Sequence, residues 1–253
     1  MERTHAGVKY GTLTMQCVAA LFLLVAPARA FAGQLEGDIS PKLSATALIK
    51  ELQKGGYIIY FRHGLTSENG EKDVSDFELD DCARQRNLSE DGRVQTKKIG
   101  AAFRTLRIPS GEVYASPYCR CLETARNVFG KATKSRALHF AIRLRTTDRV
   151  AVTSQLLRLL AIVPEPGTNT GLVGDTSNLQ EAVGLWPKPE GVAHIFKPRG
   201  DGTFSYVGVV EPEEWASEAN RSPNSASAGW FAWLRRPQSV VAPSYVNPVA
   251  SAP

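Results

Sequence analysis

The middle of the chain alternates short apolar runs with longer amphipathic stretches. Runs of this length, bounded by polar residues, are typical of strands buried in a parallel sheet. They predict strands at Tyr57–Phe61, Glu112–Ala115, Ala137–Leu144 and Thr170–Val173. Apolar positions at helical spacing predict four helices. The first runs from Ser89 to before Pro109, and the second follows the Glu112–Ala115 strand and ends near Phe129. The third covers Val150–Val163, and the fourth begins at Asn178.

The last two predicted strands form a hairpin. Ile195–Phe196 and Phe204–Val210 flank residues 197–202, whose sequence Lys-Pro-Arg-Gly-Asp-Gly is typical of a turn. The resulting order of elements is β-α-β-α-β-α-β-α-β-β. It predicts a three-layer α/β/α domain with a mostly parallel central sheet.

The beginning of the chain has the features of an export signal. A basic start is followed by an apolar stretch from Cys17 to Ala26 and by small-residue cleavage sites that end at Ala30 and Ala32. We therefore interpret residues 1–32 as a signal peptide and expect a periplasmic or secreted mature protein. A buried N-terminal helix is the alternative interpretation.

The end of the chain changes composition after Trp215. Residues 216–253 are rich in Ser, Ala, Pro and Asn, apart from one apolar island at Trp230–Leu234. Such a segment buries too little apolar surface to offset the entropy of ordering it. The sequence predicts a folded domain over residues 33–215 and a disordered tail after it.

Composition and charge exclude several classes of protein. A chain of 253 residues that is 43% hydrophobic and 22% charged is globular and long enough for one sizeable core. Its net charge of +5 is modest and its Lys and Arg are scattered, so no nucleic-acid or lipid surface is indicated. No apolar run approaches the roughly 18–20 residues of a membrane span, so none is predicted.

Three cysteines follow the predicted signal peptide, namely Cys82, Cys119 and Cys121. No histidine lies near them in the sequence, so a metal site is not predicted. In an oxidising compartment, one disulfide between Cys82 and either Cys119 or Cys121 is expected, with one thiol left over. Three reduced, buried cysteines are the alternative.

Basic and polar residues follow the predicted strands directly. Arg62-His63-Gly64 follows the first strand, the segment Ser116 to Arg120 follows the second, and Asp175 follows the Thr170–Val173 strand. Ligands bind beyond the carboxyl ends of such strands. The guanidinium group of an arginine can donate two parallel hydrogen bonds to phosphate oxygens. A histidine beside such arginines can attack phosphorus through a ring nitrogen. The sequence therefore predicts a phosphate site at this edge of the sheet.

Four segments in this order resemble the histidine phosphatase superfamily, which has the phosphoglycerate mutase-like fold. They are Tyr-Phe-Arg62-His63-Gly64-Leu-Thr, Leu88-Ser-Glu-Asp-Gly92, the run from Ser116 to Ala125, and Asn169-Thr-Gly-Leu-Val-Gly174. The resemblance spans about residues 46–215. Among exported members, the chain is most similar to periplasmic phosphatases, including a type that acts on a heptose phosphate of the lipopolysaccharide core.

The resemblance implies a role for each matching residue. His63 would be the nucleophile that accepts the phosphoryl group, and Arg62 and Arg120 would hold the phosphate. The expected reaction is hydrolysis of a small phosphomonoester through a phosphohistidine, without a metal or other cofactor. A mutase reaction is disfavoured because export removes the protein from sugar-phosphate metabolism.

The chain departs from the family at Asp175, where the family has a second histidine. An ionised aspartate cannot donate a hydrogen bond to the transferring phosphoryl group, and it repels a phosphate dianion. We expect Asp175 to pair with the arginines in an empty site. A phosphate-binding pseudo-enzyme is therefore an alternative function. His139 and His194 do not match the motif position and are interpreted as structural.

Other polar residues near the motifs are weaker candidates. Thr66, Ser116 and Thr176 are candidate substrate contacts, although such residues also cap helices. Glu123 shares a helix face with Arg120 and is a candidate acid, with an ion pair within the helix as the alternative. The acidic loop after His63 offers further candidate acids, which are Glu68, Glu71 and Asp73.

Overall fold

A computed structural model of the chain describes residues 33–67, 73 and 78–223. The predicted signal peptide at residues 1–32 lies outside the described residues, as do residues 224–253 with the apolar island. The export signal and the disordered tail therefore stay predictions.

The described residues form one sheet of seven strands, in the spatial order β1-β7-β6-β2-β5-β3-β4. The strands are β1 (Gln34–Leu35), β2 (Ile58–Arg62), β3 (Ser110–Ala115), β4 (Thr133–Lys134), β5 (Asn169–Gly174), β6 (Ala193–Pro198) and β7 (Thr203–Val210). Within this part of the chain, β6 is antiparallel to both of its neighbours and every other pairing is parallel. The predicted mostly parallel sheet with a final hairpin is confirmed.

Helices cover both faces of this sheet. They are α1 (Ala45–Leu52), α2 (Glu90–Thr105), α3 (Cys119–Phe129), α4 (Thr146–Ala161), α5 (Thr176–Val183) and α6 (Pro212–Arg221). One buried apolar cluster joins α1, α2, α3 and α6 to the sheet, and a second joins α4 and α5 to it. The predicted three layers are therefore confirmed.

Local sequence signals set the limits of α2 and α3. The Ser89 hydroxyl accepts a hydrogen bond from the Gly92 amide at 3.0 Å, which confirms the predicted N-cap of α2. Glu90 lies in the first turn, where its charge complements the helix dipole. Gly130 ends α3 in the left-handed conformation, with φ of 77°, which glycine adopts without steric cost.

The predicted strand at Ala137–Leu144 is wrong. This segment contains two short 3-10 helices, Arg136–Leu138 and Ala141–Arg143. Leu138 and Ala141 are buried three residues apart, whereas Ile142 is 61% exposed. That spacing suits 3-10 turns and not the two-residue repeat of a strand. An apolar run of this length does not by itself separate the two structures.

The folded domain continues beyond the predicted boundary after Trp215. Helix α6 extends to Arg221, and Trp215, Glu218 and Ala219 are all buried. The Glu218 carboxylate accepts a hydrogen bond from Thr46 Oγ1 at 2.6 Å, which ties the helix to the start of α1. The composition after Trp215 is poor in apolar residues and therefore suggested disorder. A short helix needs only a few apolar residues per turn to pack against a domain, so composition alone did not locate the end of the fold.

Trp186 and Trp215, the two tryptophans among the described residues, differ in burial. Trp215 packs against Phe61 and Phe103, with ring centroids 5.9 and 4.6 Å away. Trp186 is 52% exposed and lies outside the core.

His194 on β6 is buried and makes stability depend on pH. Its Nδ1 lies 3.0 Å from the Tyr206 hydroxyl, and burial lowers the pKa of His194 from 6.5 to about 4. The unfolded chain binds this proton near pH 6.5, whereas the folded chain binds it only near pH 4. His194 therefore stabilises fully above pH 6.5 and loses its contribution as the pH falls towards 4.

We expect this loss to amount to about 3 kcal/mol of unfolding free energy across that window. The measurement is urea unfolding at a series of pH values for the wild type and His194→Gln. The substitution should flatten the curve between pH 6.5 and 4. Parallel curves for the two proteins would contradict the assignment.

Candidate active site

The carboxyl ends of three neighbouring strands bring the predicted site residues together. β5 lies between β2 and β3, with Arg62 paired to Gly174 and Ala115 paired to Val173 in the register. The residues that follow these strands therefore meet at one edge of the sheet. His63 follows β2, Asp175 follows β5, and Arg120 lies in the first turn of α3.

His63 is buried, with 1% of its surface exposed. Its Nδ1 lies 2.9 Å from the carbonyl oxygen of Gly64. A carbonyl only accepts, so Nδ1 carries a proton and donates, which leaves Nε2 as the ring nitrogen available to attack. Nε2 faces the Asp175 carboxylate, with 3.4 Å to Oδ1.

Gly64 allows this close arrangement because α2 packs directly over it. A Cβ atom at this position would lie 2.4 Å from Cγ2 of Thr96. The amide of Gly64 also donates to the Thr124 hydroxyl at 3.0 Å. The glycine of the Arg-His-Gly motif therefore lets α2 and α3 pack against the loop that carries the histidine.

Arg120 and Asp175 form a fully buried ion pair. Nε and Nη2 of Arg120 donate to Oδ1 of Asp175 at 2.9 and 2.7 Å. The guanidinium also lies over the Tyr118 ring, 4.5 Å from its centroid, and Nη1 donates to Oδ1 of Asp73 at 3.0 Å. The predicted pairing of Asp175 with an arginine is confirmed for Arg120.

This pairing keeps both groups charged. Burial by itself raises the pKa of Asp175, but the charge of Arg120 and the hydrogen bonds that Arg120 donates hold it well below its ordinary value. Burial alone would lower the pKa of Arg120, yet the negative charge of Asp175 raises it. At neutral pH, an anion therefore stands beside the ring nitrogen that a phosphoryl group would have to reach.

Arg62 is paired with a carboxylate that the sequence did not indicate. Its Nη2 donates to Oε1 of Glu190 at 2.9 Å, and its Nη1 donates to the carbonyl of Pro187 at 3.3 Å. Among the described residues, the buried Nε of Arg62 has no hydrogen-bond partner. Burial lowers the pKa of Arg62, which the charge of Glu190 opposes.

Glu190 lies in the loop between α5 and β6, where no motif marks it. The signal that could have located it is topological. Phe61 of β2 pairs with Ala193 in antiparallel β6. The residues just before β6 must therefore lie beside those just after β2, because antiparallel partners begin where the other ends.

Thr66 belongs to this part of the site, whereas Ser116 and Thr176 are only positioned near it. The Thr66 hydroxyl donates to Oε1 of Glu190 at 3.0 Å and accepts from Nη1 of Arg86 at 2.8 Å. Ser116 is buried at the end of β3, and Thr176 is the first residue of α5. Their predicted roles in substrate binding stay predictions.

The structure does not bring Glu123 to this cluster. Its carboxylate accepts from Nε of Arg93 on α2 at 2.8 Å, so the ion pair joins two helices. It lines a surface cavity of about 380 Å³ beside Cys82 and Cys119, which Arg62, His63, Arg120 and Asp175 do not line.

Of the three acidic residues that follow the histidine loop, Asp73 joins the cluster. Besides its bond from Arg120, its Oδ1 accepts from the Arg86 amide at 2.9 Å. Glu68 and Glu71 lie outside the described residues.

One disulfide joins Cys82 to Cys119, with the Cα atoms 5.7 Å apart. This confirms the expected pairing and selects Cys119 over Cys121. Residues two apart on a helix face different directions. Cys121 is free and buried, and its Sγ lies 3.7 Å from Oδ2 of Asp175. Burial raises the pKa of the Cys121 thiol well above its ordinary value, and the charge of Asp175 raises it further.

In the part of the chain that the structure describes, no helix is both long enough and apolar enough to span a membrane.

A family comparison finds a match for the part of the chain that contains the histidine loop. Residues 58–149 match the model of the histidine phosphatase superfamily, branch 1. The matched segment contains Arg62, His63 and Arg120, whereas Asp175 and Glu190 follow it. The resemblance predicted from the sequence is therefore confirmed over these residues.

Comparisons with individual proteins add distant structural likenesses. No curated protein matches the chain. The protein histidine phosphatase SixA with tungstate is 12% identical, with 62% of this chain and 98% of that chain covered and a TM-score of 0.44. A phosphoserine phosphatase from Entamoeba histolytica is 14% identical, with coverages of 62% and 98% and a TM-score of 0.43. The ecdysone phosphate phosphatase from Bombix mori is 14% identical, with coverages of 62% and 93% and a TM-score of 0.44.

Proposed function

We propose that this protein is a phosphomonoesterase that acts through a phosphohistidine on His63. The observation that carries the proposal is the orientation of the His63 ring. Its Nδ1 is held by the Gly64 carbonyl, so Nε2 is the ring nitrogen left to attack, and it faces the Asp175 carboxylate that is paired with Arg120. The family match over residues 58–149 supports phosphatase chemistry at this histidine.

In the proposed reaction, Nε2 of His63 forms a bond to phosphorus as the bond from phosphorus to the ester oxygen breaks. The leaving oxygen takes up a proton from solvent water and departs as the alcohol. Water then attacks the phosphohistidine, which releases inorganic phosphate and restores the neutral ring. Arg62 and Arg120 stabilise the charge on the phosphoryl oxygens in both steps.

We place this reaction outside the cytoplasm, in the periplasm or the medium. The predicted signal peptide is the main argument for export. The disulfide between Cys82 and Cys119 supports it, because such bonds persist in oxidising compartments. The expected substrate is a small phosphorylated molecule.

The ion pair between Arg120 and Asp175 favours a second candidate function. Asp175 holds two of the donors that a phosphate would need, and its charge lies 3.4 Å from the attacking nitrogen. A site arranged in this way suits a protein that binds phosphate weakly and no longer transfers it.

A generic aryl phosphate distinguishes the two functions. We expect the full chain to hydrolyse it and to carry an acid-labile, base-stable phosphoryl group on His63 after a rapid quench. Saturable phosphate binding without hydrolysis or labelling would support the pseudo-enzyme. Hydrolysis with no phosphorylated histidine would contradict the proposed intermediate.

A further inference from the structure

The carboxylate of Glu190 connects the histidine loop with Arg62. Its Oε1 accepts from Nη2 of Arg62 at 2.9 Å and from the Thr66 hydroxyl at 3.0 Å, and its Oε2 accepts from the Thr66 amide at 2.9 Å. Oε1 is also 3.9 Å from Nδ1 of His63 and 3.7 Å from Nη1 of Arg86. One side chain therefore contacts residues on both sides of the proposed nucleophile.

The backbone around Glu190 is held in place as firmly as its side chain. The Gly191 amide donates to the carbonyl of His63 at 2.8 Å. Nε2 of Gln95 on α2 donates to the Glu190 carbonyl at 3.1 Å. The carboxylate thus has a defined position relative to the His63 ring, and its charge acts at a defined distance.

The charge of Glu190 has opposite effects on binding and on transfer. A phosphate dianion that binds to Arg62 must compete with this carboxylate and is repelled by it. When Nε2 bears the phosphoryl group and Nδ1 keeps its proton, the ring is cationic, and a carboxylate 3.9 Å from Nδ1 stabilises it. The same charge therefore weakens phosphate binding and favours phosphoryl transfer.

We propose that Glu190 is a positioning residue for phosphoryl transfer, whose carboxylate orients Arg62, stabilises the phosphorylated ring of His63 and speeds the release of phosphate. It does not touch the phosphoryl group and acts through Arg62 and His63. The part that concerns transfer rests on the proposed function, whereas the part that concerns phosphate affinity does not.

The test is Glu190→Gln, which keeps the side-chain length and removes the charge. We expect kcat on an aryl phosphate to fall about tenfold, because the cationic ring loses its counter-charge. We also expect the affinity for inorganic phosphate, measured by calorimetry on the full chain, to rise severalfold. A purely structural role would lower kcat and phosphate affinity together.

The matched control is Glu218→Gln on α6. Glu218 carries a buried carboxylate that, like the carboxylate of Glu190, accepts from a threonine hydroxyl, that of Thr46, and from an arginine, Arg221. This variant should leave both kcat and phosphate affinity at wild-type values.

Weaker phosphate binding in Glu190→Gln, or wild-type values for both quantities, would overturn the proposal. If the wild type has no turnover, the proposed function fails, and the phosphate affinities alone decide. Tighter binding in the variant then supports the repulsion by Glu190, and equal or weaker binding refutes it.

Discussion

Replacement of Asp175 by histidine should raise turnover on a phosphomonoester by on the order of a hundredfold. The aspartate side chain occupies Nε and Nη2 of Arg120 and lies 3.4 Å from Nε2 of His63. An imidazole at this position removes the negative charge, frees Arg120 for the phosphate and supplies a hydrogen-bond donor to the transferring group. Each change lowers the free energy of the transition state relative to the free site.

Asp175→Asn should recover part of this gain, because the amide can donate and carries no charge. Arg120 keeps its bond to Asp73 in both variants, so its charge is not left without a counter-ion. Steady-state rates on one aryl phosphate for the wild type and the two variants provide the measurement. Thermal melts identify any loss of folding.

Asp148→Asn is the matched control, since Asp148 also pairs with an arginine, Arg145, but away from the site. Its rate should equal that of the wild type. A drop in both Asp175 variants would refute this account and would indicate that Asp175 serves as an acid. The geometry argues against that role, because Arg120 holds the pKa of the buried carboxyl well below its ordinary value.

His63→Ala should abolish hydrolysis, alone and in combination with Asp175→His. Among the described residues of the cluster, the remaining side chains are arginines, carboxylates and hydroxyls, and the Thr66 hydroxyl is already bound to Glu190 and Arg86. The nearby thiol of Cys121 is buried, and burial raises its pKa, so it does not attack as a thiolate at neutral pH. No group then remains to take the phosphoryl group.

The same variant should still bind inorganic phosphate, because Arg62 and Arg120 remain in place. Rapid-quench labelling and calorimetry provide the two measurements, and His194→Gln serves as a histidine control outside the site. Turnover in His63→Ala at a rate close to the wild type would contradict the phosphohistidine mechanism.

The position of the site could be predicted from local sequence patterns, namely apolar runs, helix caps and the order of the strands. The continuous burial of β2 requires an apolar run, and Tyr57–Phe61 is that run. Ser89 caps α2 through its own hydroxyl, so the start of this helix was also predictable. The order of the strands places His63, Arg120 and Asp175 at one edge, because parallel strands have their carboxyl ends on the same side.

Other features depend on contacts between distant parts of the chain, which no local sequence pattern predicts. The 3-10 turns at 136–143 replace a predicted strand because α4 and α5 bury residues three apart there. Helix α6 extends past the predicted boundary because Glu218 accepts a hydrogen bond from Thr46, which lies 172 residues earlier in the chain. In each case, the residue types are compatible with several structures, and packing selects one.

The sequence by itself determined which polar groups follow the strands and that they would gather at one edge of the sheet. Only the tertiary structure decided how their charges are paired. Glu190 is 128 residues from Arg62 along the chain and reaches it because antiparallel β6 begins where β2 ends. Asp175 neutralises Arg120 because β5 and β3 are neighbours. Such pairings depend on which strand ends adjoin in space, and that arrangement exists only once the sheet has formed.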